Sequence, residues 1–276
     1  MRFALNLAPF GPWSDPHRLV ALAGRAEAAG WDGVFLWDHV FYGEDVTRIA
    51  DPWVCLAAMA AATTRLRIGT MVTPLPRRRP AKLARETVTL DHLSGGRLTL
   101  GVGIGWPPRN DFGRFGDAED NRVRGRQLDE GLEVLTALWS GEDVVHRGDH
   151  YLADGVRFLP RPIQRPRIPI WVAGMWPHRP AFRRAARFDG VFPIRVDDGF
   201  DIVPVRPDDL REIIAFTLEH RDTDDALDVS VGGTRFDDPD LAAYERAGAT
   251  WWQEWFGFPT RTPEEWMAVV DDGPPT

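Results

Sequence analysis

Cysteine is almost absent: Cys55 is the only one in 276 residues, so no disulfide can form within the chain. It sits in Trp-Val-Cys-Leu-Ala-Ala-Met at 53–59, a helix-like apolar run where a thiol serves as a small buried hydrophobe. Long apolar runs are missing too. Nowhere do about eighteen apolar residues follow one another, so there is no candidate for a membrane-spanning helix. Arg2 to Leu7 enters a strand pattern directly, without a charged leader or a cleavage site, and the expectation is a cytoplasmic protein. A basic surplus is also lacking: 41 Asp and Glu face 33 Lys and Arg, nearly all Arg. No net field then draws the chain to nucleic acid or to a membrane surface, and a small soluble ligand is the expected partner.

The nitrogen-rich metal sets are missing as well. The seven histidines include no His-x-His on a strand and no His-Glu-x-x-His on a helix. His146 and His150 are four apart but lie in a Gly- and Asp-rich turn, so they share no helix face, and no metal site is expected.

What is present is one repeated grammar. A strand from Phe3 to Pro9 precedes Asp15-Pro16, a cap with proline at the first helical position, and a helix that stops at Gly30. A strand from Gly33 to His39 precedes Asp51-Pro52 and the helix Trp53 to Ala62. Arg65 to Thr73 and then Arg97 to Gly105 read as strands three and four, separated by a helix from Pro80 whose Leu83, Thr87, Leu90 and Leu93 recur at helical spacing. A Pro-, Gly- and Asp-rich excursion, 106–121, is too long for a plain connection and has the character of a lid or binding loop. After a helix from about Arg122 to Trp139, residues 142–168 read as an inserted hairpin rich in proline. Strands Ile170 to Gly174, Gly190 to Val196, Leu227 to Val231 and Thr250 to Trp255 then alternate with four more helices.

Eight strand-helix units predict a (β/α)8 TIM barrel, one domain over residues 1–276, with an open doubly wound sheet as runner-up. In a barrel the chemistry sits at the C-terminal strand ends. The most telling of these is the second, Gly-Val-Phe-Leu-Trp-Asp-His at 33–39. An acid and an imidazole closing an apolar strand cost free energy unless they meet a polar mouth; the plainer reading is an Asp that caps the next turn. Glycines and broad rings at the strand ends, Trp37 and Trp106 foremost, suit a planar heteroaromatic ligand. Trp53, Trp139 and Trp266 lie on helix stripes and read as packing.

The ordered motifs Trp31-Asp32-Gly33-Val34-Phe35-Leu36-Trp37-Asp38-His39, Asp51-Pro52-Trp53, Arg67-Ile68-Gly69-Thr70-Met71-Val72-Thr73-Pro74, Thr89 to Arg97, Leu100 to Trp106 and Pro169 to Gly174 resemble the luciferase-like monooxygenase superfamily, barrel oxidoreductases that use FMN or the deazaflavin F420. The match runs from Arg2 to about Pro193. The resemblance implies that His39 exchanges a proton with substrate or binds a developing oxyanion, with Asp38 to orient it. It implies a non-prolyl cis peptide at Met71-Val72, in a bulge with Thr70 behind the cofactor ring, and Gly103, Ile104 and Gly105 along the ring edge. Ala173, Gly174, Met175 and Trp176 match a phosphate-binding turn at a helix N-terminus, with Arg79, Arg183 and Arg184 as nearby basic candidates. Phe10, Trp37, Phe41 and Trp106 would form the substrate pocket.

Two departures bear on the cofactor. Trp106-Pro107-Pro108 stands where F420-binding relatives often carry a glutamate, whereas Asp38-His39 is closer to the F420 branch than to the Glu-His of bacterial luciferase. Reduced FMN with O2, supplied by a separate flavin reductase and oxygenating a small organic substrate, is the first expectation. Hydride transfer with F420 is the second, and a non-catalytic flavin-binding barrel the alternative of another class. A homodimer is expected from the same resemblance.

Overall fold

The computed structural model describes residues 1–196, 202–256 and 261–275. The strands are β1 (Arg2–Leu7), β2 (Gly33–Leu36), β3 (Arg67–Pro74), β4 (Leu98–Gly103), β5 (Asp143–Arg147), β6 (Leu152–Arg157), β7 (Ile170–Trp176), β8 (Gly190–Val196), β9 (Ile202–Val203), β10 (Asp228–Gly233) and β11 (Trp251–Phe256). The helices are α1 (Pro16–Ala28), α2 (Pro52–Ala62), α3 (Pro80–Leu93), α4 (Pro108–Asp111), α5 (Asn121–Trp139), α6 (Pro180–Ala185), α7 (Pro207–Glu219), α8 (Leu241–Arg246) and α9 (Pro263–Asp271).

Eight parallel strands run in the order β10-β11-β1-β2-β3-β4-β7-β8, and β10 pairs back onto β8 through Asp228 with Gly190 and Val229 with Val191. That pairing closes the TIM barrel and removes the open-sheet alternative. The expected helix starts are present: the Asp15 and Asp51 carboxylates accept from His17 N and Val54 N, each at 2.9 Å, ahead of a proline at the first helical position.

Three local features differ from the sequence pattern. The excursion after β4 is not bare loop, because it folds α4 and a 3-10 turn at Gly113–Phe115. The insertion is a hairpin only over β5 and β6, and the rest to 169 is irregular chain whose Leu159-Pro160 and Arg165-Pro166 bonds are cis. The two-residue β9 pairs antiparallel with β8, too short to leave a periodic signal. Among the described residues no helix is long and apolar enough to cross a membrane.

The barrel is filled rather than hollow. Ala4, Phe35, Met71, Trp171, Phe192 and Trp251 form its interior, with Val72, Ala173 and Ile194 lying over them on the side of the strand C-termini. Rings this large need glycine across the sheet. A Cβ at Gly190 would stand 2.3 Å from the Trp171 ring, and one at Gly232 would stand 1.9 Å from Trp255 Nε1. The opposite strand faces are lined by aliphatic residues such as Leu5, Leu7, Val34, Leu36, Leu98 and Leu100, which pack under the helices.

At the other end of the barrel Glu27, at the end of α1, accepts from the main-chain N–H groups of Thr64, Arg65 and Leu66 at 2.7–3.1 Å and ties α1 to the chain entering β3. Burial alone would raise its pKa, but these donors outweigh it and hold the carboxyl at about 2 instead of 4.5. A depressed pKa means stability present above the ordinary value and lost as pH falls toward 2, reduced by screening because the site is largely solvated. A Glu27→Gln variant is therefore expected to be less stable than the parent near pH 6, with the gap closing between about pH 5 and pH 2. Urea unfolding across that range measures it, and a gap independent of pH would contradict the assignment.

Candidate active site at the barrel mouth

β2 ends at Leu36 and delivers Trp37, Asp38 and His39 to the mouth in three different environments. Asp38 is only 1% exposed. Its carboxylate accepts from Thr73 Oγ1 at 2.9 Å, Trp53 Nε1 at 3.2 Å, Arg77 Nη2 at 2.9 Å, and Arg78 Nε and Nη2 at 3.0 and 2.9 Å. Burial pushes this carboxyl up, and the guanidiniums of Arg78 and Arg77 with hydrogen bonds from Arg78 and Thr73 outweigh it, so it is held below the ordinary aspartate value.

The expected partnership of Asp38 with His39 is therefore not formed, because two arginines, a threonine and an indole already take its oxygens. Asp111, the last residue of α4, stands beside the imidazole instead, with Oδ2 3.3 Å from His39 Nδ1. Its Oδ1 accepts from Arg77 Nη1 at 2.7 Å and from the N–H groups of Val40 and Phe41 at 2.8 and 3.2 Å. Arg77 thus bridges two buried carboxylates, and Asp38, Asp111, Arg77 and Arg78 form a charge-balanced set. None of Arg77, Arg78 or Asp111 stands out in the sequence, since the acid that meets His39 comes from a loop 72 positions on.

His39 is boxed by rings. Phe10, Trp37 and Tyr42 lie 5.7, 6.0 and 5.1 Å from the imidazole, centre to centre. Phe10 and Trp37 are thus brought together, and Tyr42 joins them. Phe41 instead packs under the Arg114 guanidinium, 5.1 Å from its ring, and Trp106 is 43% exposed at the rim. Beneath the box a polar line crosses four neighbouring strands: Trp37 Nε1 donates to Asn6 Oδ1 at 2.7 Å, Asn6 Nδ2 to Gln253 Oε1 at 2.5 Å, and Gln253 Nε2 to Ser230 Oγ at 2.8 Å. Polar side chains alternating into apolar strands were the signal for Asn6, Ser230 and Gln253.

The other expected positions separate into floor and frame. The Met71-Val72 bond is cis, within a register shift between Thr70 and Thr73. Met71 is buried in the barrel interior, Val72 is part of its apolar cover, and Thr70 is buried, with its hydroxyl bonded to Gly101 O and Thr73. Gly103 ends β4, where a Cβ would stand 3.0 Å from Val72 Cγ2. The carbonyls of Ile104 and Gly105 accept from the buried Arg124 at 2.8 Å each, and Gly105 has φ +84°.

Ala173, Gly174, Met175 and Trp176 are strand, paired with Phe192 to Arg195 on β8, so the turn that leads to α6 is Pro177 to Arg179. A Cβ at Gly174 would meet that of Ala181 at 2.5 Å, which makes this glycine a requirement of strand–helix packing. Arg184 is ion-paired with Asp129, whereas Arg179, not singled out from the sequence, is exposed and has no ion pair among the described residues. It lies 5.3 Å from the Trp176 ring. Arg79 and Arg183 are exposed.

The excursion is latched to the chain after β2. Besides Asp111, Asn110 Nδ2 donates to Tyr42 O at 2.8 Å and Arg114 pairs with Glu44 at 2.6 Å. The strand-end apolar floor, the ringed imidazole and the exposed cation beside Trp176 fit a flat ring carrying an anionic tail.

With this geometry the comparisons agree. The chain belongs to the luciferase-like monooxygenase family, whose model matches residues 3–262. It is 35% identical over 189 residues to an F420-dependent glucose-6-phosphate dehydrogenase of Beutenbergia cavernae, covering 67% of this chain and 52% of that protein. It spans about half the length of the curated relatives it matches. Among solved structures it resembles the monooxygenase RslO1 from Streptomyces bottropensis, with a TM-score of 0.74 and 22% identity over 98% of this chain and 96% of that one. The oxygenating constituent of 3,6-diketocamphane monooxygenase from Pseudomonas putida, in complex with FMN, superposes with a TM-score of 0.75 at 17% identity, again over 98% and 96%. At such identities these two likenesses speak for the fold.

Replacing Asp38 by Ala would leave Arg77 and Arg78 without a shared counter-charge, and breaking a buried pair in this way costs roughly 3–5 kcal/mol. Urea denaturation of Asp38→Ala is expected to show a loss of that order, and a change near zero would refute the structural role given to this acid.

Proposed function

We infer that this chain is an oxidoreductase whose barrel mouth binds a flavin-type tricyclic ring, with His39 handling the proton of a small organic substrate. The observation that carries this reading is the placement of His39: an imidazole at the C-terminal end of its strand, ringed by Phe10, Trp37 and Tyr42, whose Nε2 takes no hydrogen bond among the described residues, at the same end of the barrel as Val72, Ala173 and Ile194. When bound, the ring would supply the two-electron chemistry.

The chain's own residues would do the rest. Val72, Ala173, Ile194 and Gly103 would take the ring face and edge, and the main chain after Trp176 with Arg179 would meet its anionic tail. Phe10, Trp37 and Tyr42 would keep water from the imidazole, which accepts or returns a proton at Nε2.

For the redox partner, the 35% identity to an F420-dependent dehydrogenase and the Asp38-His39 pair support hydride transfer with F420, which we adopt. Reduced FMN with O2, fed by a separate reductase, is the second reading, supported by Trp106-Pro107-Pro108 with no carboxylate at the end of β4. Titrating the purified chain with F420, FMN and reduced FMN, followed by absorbance and fluorescence, is expected to give saturable binding of F420. Tight binding of reduced FMN alone would favour the second reading, and no binding of any of the three would end both. With the cofactor found, His39→Ala is expected to lower turnover by roughly two to four orders of magnitude while cofactor affinity changes little. Unchanged turnover would take His39 out of the reaction.

A further inference from the structure

We propose that Asp111 is the positioning residue of His39: it fixes the imidazole tautomer with the proton on Nδ1, leaving Nε2 as the basic nitrogen at the mouth. This deepens the reading of His39 as the proton-handling group and rests on it.

The argument starts from two buried atoms. His39 Nδ1 and Asp111 Oδ2 lie 3.3 Å apart, and neither makes a hydrogen bond of full geometry with any described residue. Two facing lone pairs in a buried site would repel and would leave both atoms unsatisfied, at a cost far above that of one ordinary hydrogen bond. A proton on Nδ1 directed at Oδ2 removes both penalties. The carboxylate has no freedom to turn away, because its other oxygen is held by Arg77, Val40 N and Phe41 N. The imidazole is equally constrained, since the rings of Phe10, Trp37 and Tyr42 surround it.

The proton balance is simple. A substrate proton taken up on Nε2 makes an imidazolium whose Nδ1–H already faces a carboxylate, so the new charge is met without rearrangement, and the return of the proton restores the starting tautomer. The same acid is neutralised on its far side by Arg77, which also reaches Asp38. Because Asp111 ends α4 in the excursion after β4, the imidazole is set correctly only when that segment is docked on the chain after β2.

The test is a nitrogen NMR experiment on the full chain labelled in histidine, recorded near pH 9 where imidazoles of ordinary pKa are neutral. His39 is identified among the seven histidines by the signal lost in His39→Gln. The expected result is Nδ1 protonated and Nε2 bare. In Asp111→Asn the amide oxygen is expected to keep the donors from Arg77, Val40 and Phe41, turning the NH2 group toward His39. Donation to Nδ1 then moves the ring proton to Nε2, and turnover falls by roughly four orders of magnitude, the size of the loss when a wrong tautomer is imposed on a catalytic histidine elsewhere.

A parent protein with Nε2 protonated, or an Asp111→Asn protein that folds by its thermal melt yet keeps the parent tautomer, would overturn the proposal. The parent spectrum needs no variant, so a misfolded Asp111→Asn leaves the proposal testable. The expected tautomers together with unchanged turnover in His39→Ala would uphold the role of Asp111 and overturn the functional reading.

Discussion

Arg77 holds two acids at once, and the mouth of the barrel is arranged around that fact. One guanidinium nitrogen meets Asp38 at 2.9 Å and another meets Asp111 at 2.7 Å, with Arg78 completing the charge balance on Asp38. In so buried a place an unpaired charge is costly, so each member requires the others. The consequence is geometric: strand β2, the turn after β3 and the segment after β4 are locked in one relation, and His39 lies at their junction. Whatever the mouth binds meets an imidazole already held in place.

The same logic runs through the rest of the molecule at lower stakes. Arg124, wholly buried, holds the carbonyls of Ile104 and Gly105 and stacks on Phe112, which fixes the exit from β4. Asp91 accepts from Ile163 N and from the Gln164 amide, pinning the proline-rich tail of the insertion to α3. Glu130 does likewise for the hairpin through His150 N and Tyr151 N. Connections that carry no regular structure are thus tied down by single buried or half-buried ionic side chains, while the interior is filled by rings packed against glycines.

The site that results joins a rigid floor to a docked excursion. Val72, Ala173 and Ile194 stand on strands whose positions the closed sheet dictates. His39 and Asp111 stand on two connections that touch through Asp111, Asn110 and Arg114. Precise placement of a side chain comes from such support, and the rings of Phe10, Trp37 and Tyr42 around His39 add to it.

Periodicity and punctuation in the sequence were enough for the barrel: eight apolar strands, each followed by a helix opened by proline or a capping residue, specify the order of elements because those signals are local. The strand end at Asp38-His39 was legible for the same reason, whereas the bulge at Met71-Val72 and the pairing of Phe10 with Trp37 in a pocket came only with the family resemblance. What the linear order did not contain was who faces whom. Asp38 reads as the natural companion of His39, yet its side chain is claimed by Arg77 and Arg78, and the acid beside the imidazole comes from Asp111, after the next two strands. The polar line from Trp37 through Asn6 and Gln253 to Ser230 joins the two ends of the chain. Contacts between buried charges depend on closure of the sheet and on the docking of long connections, and only the folded chain decides them.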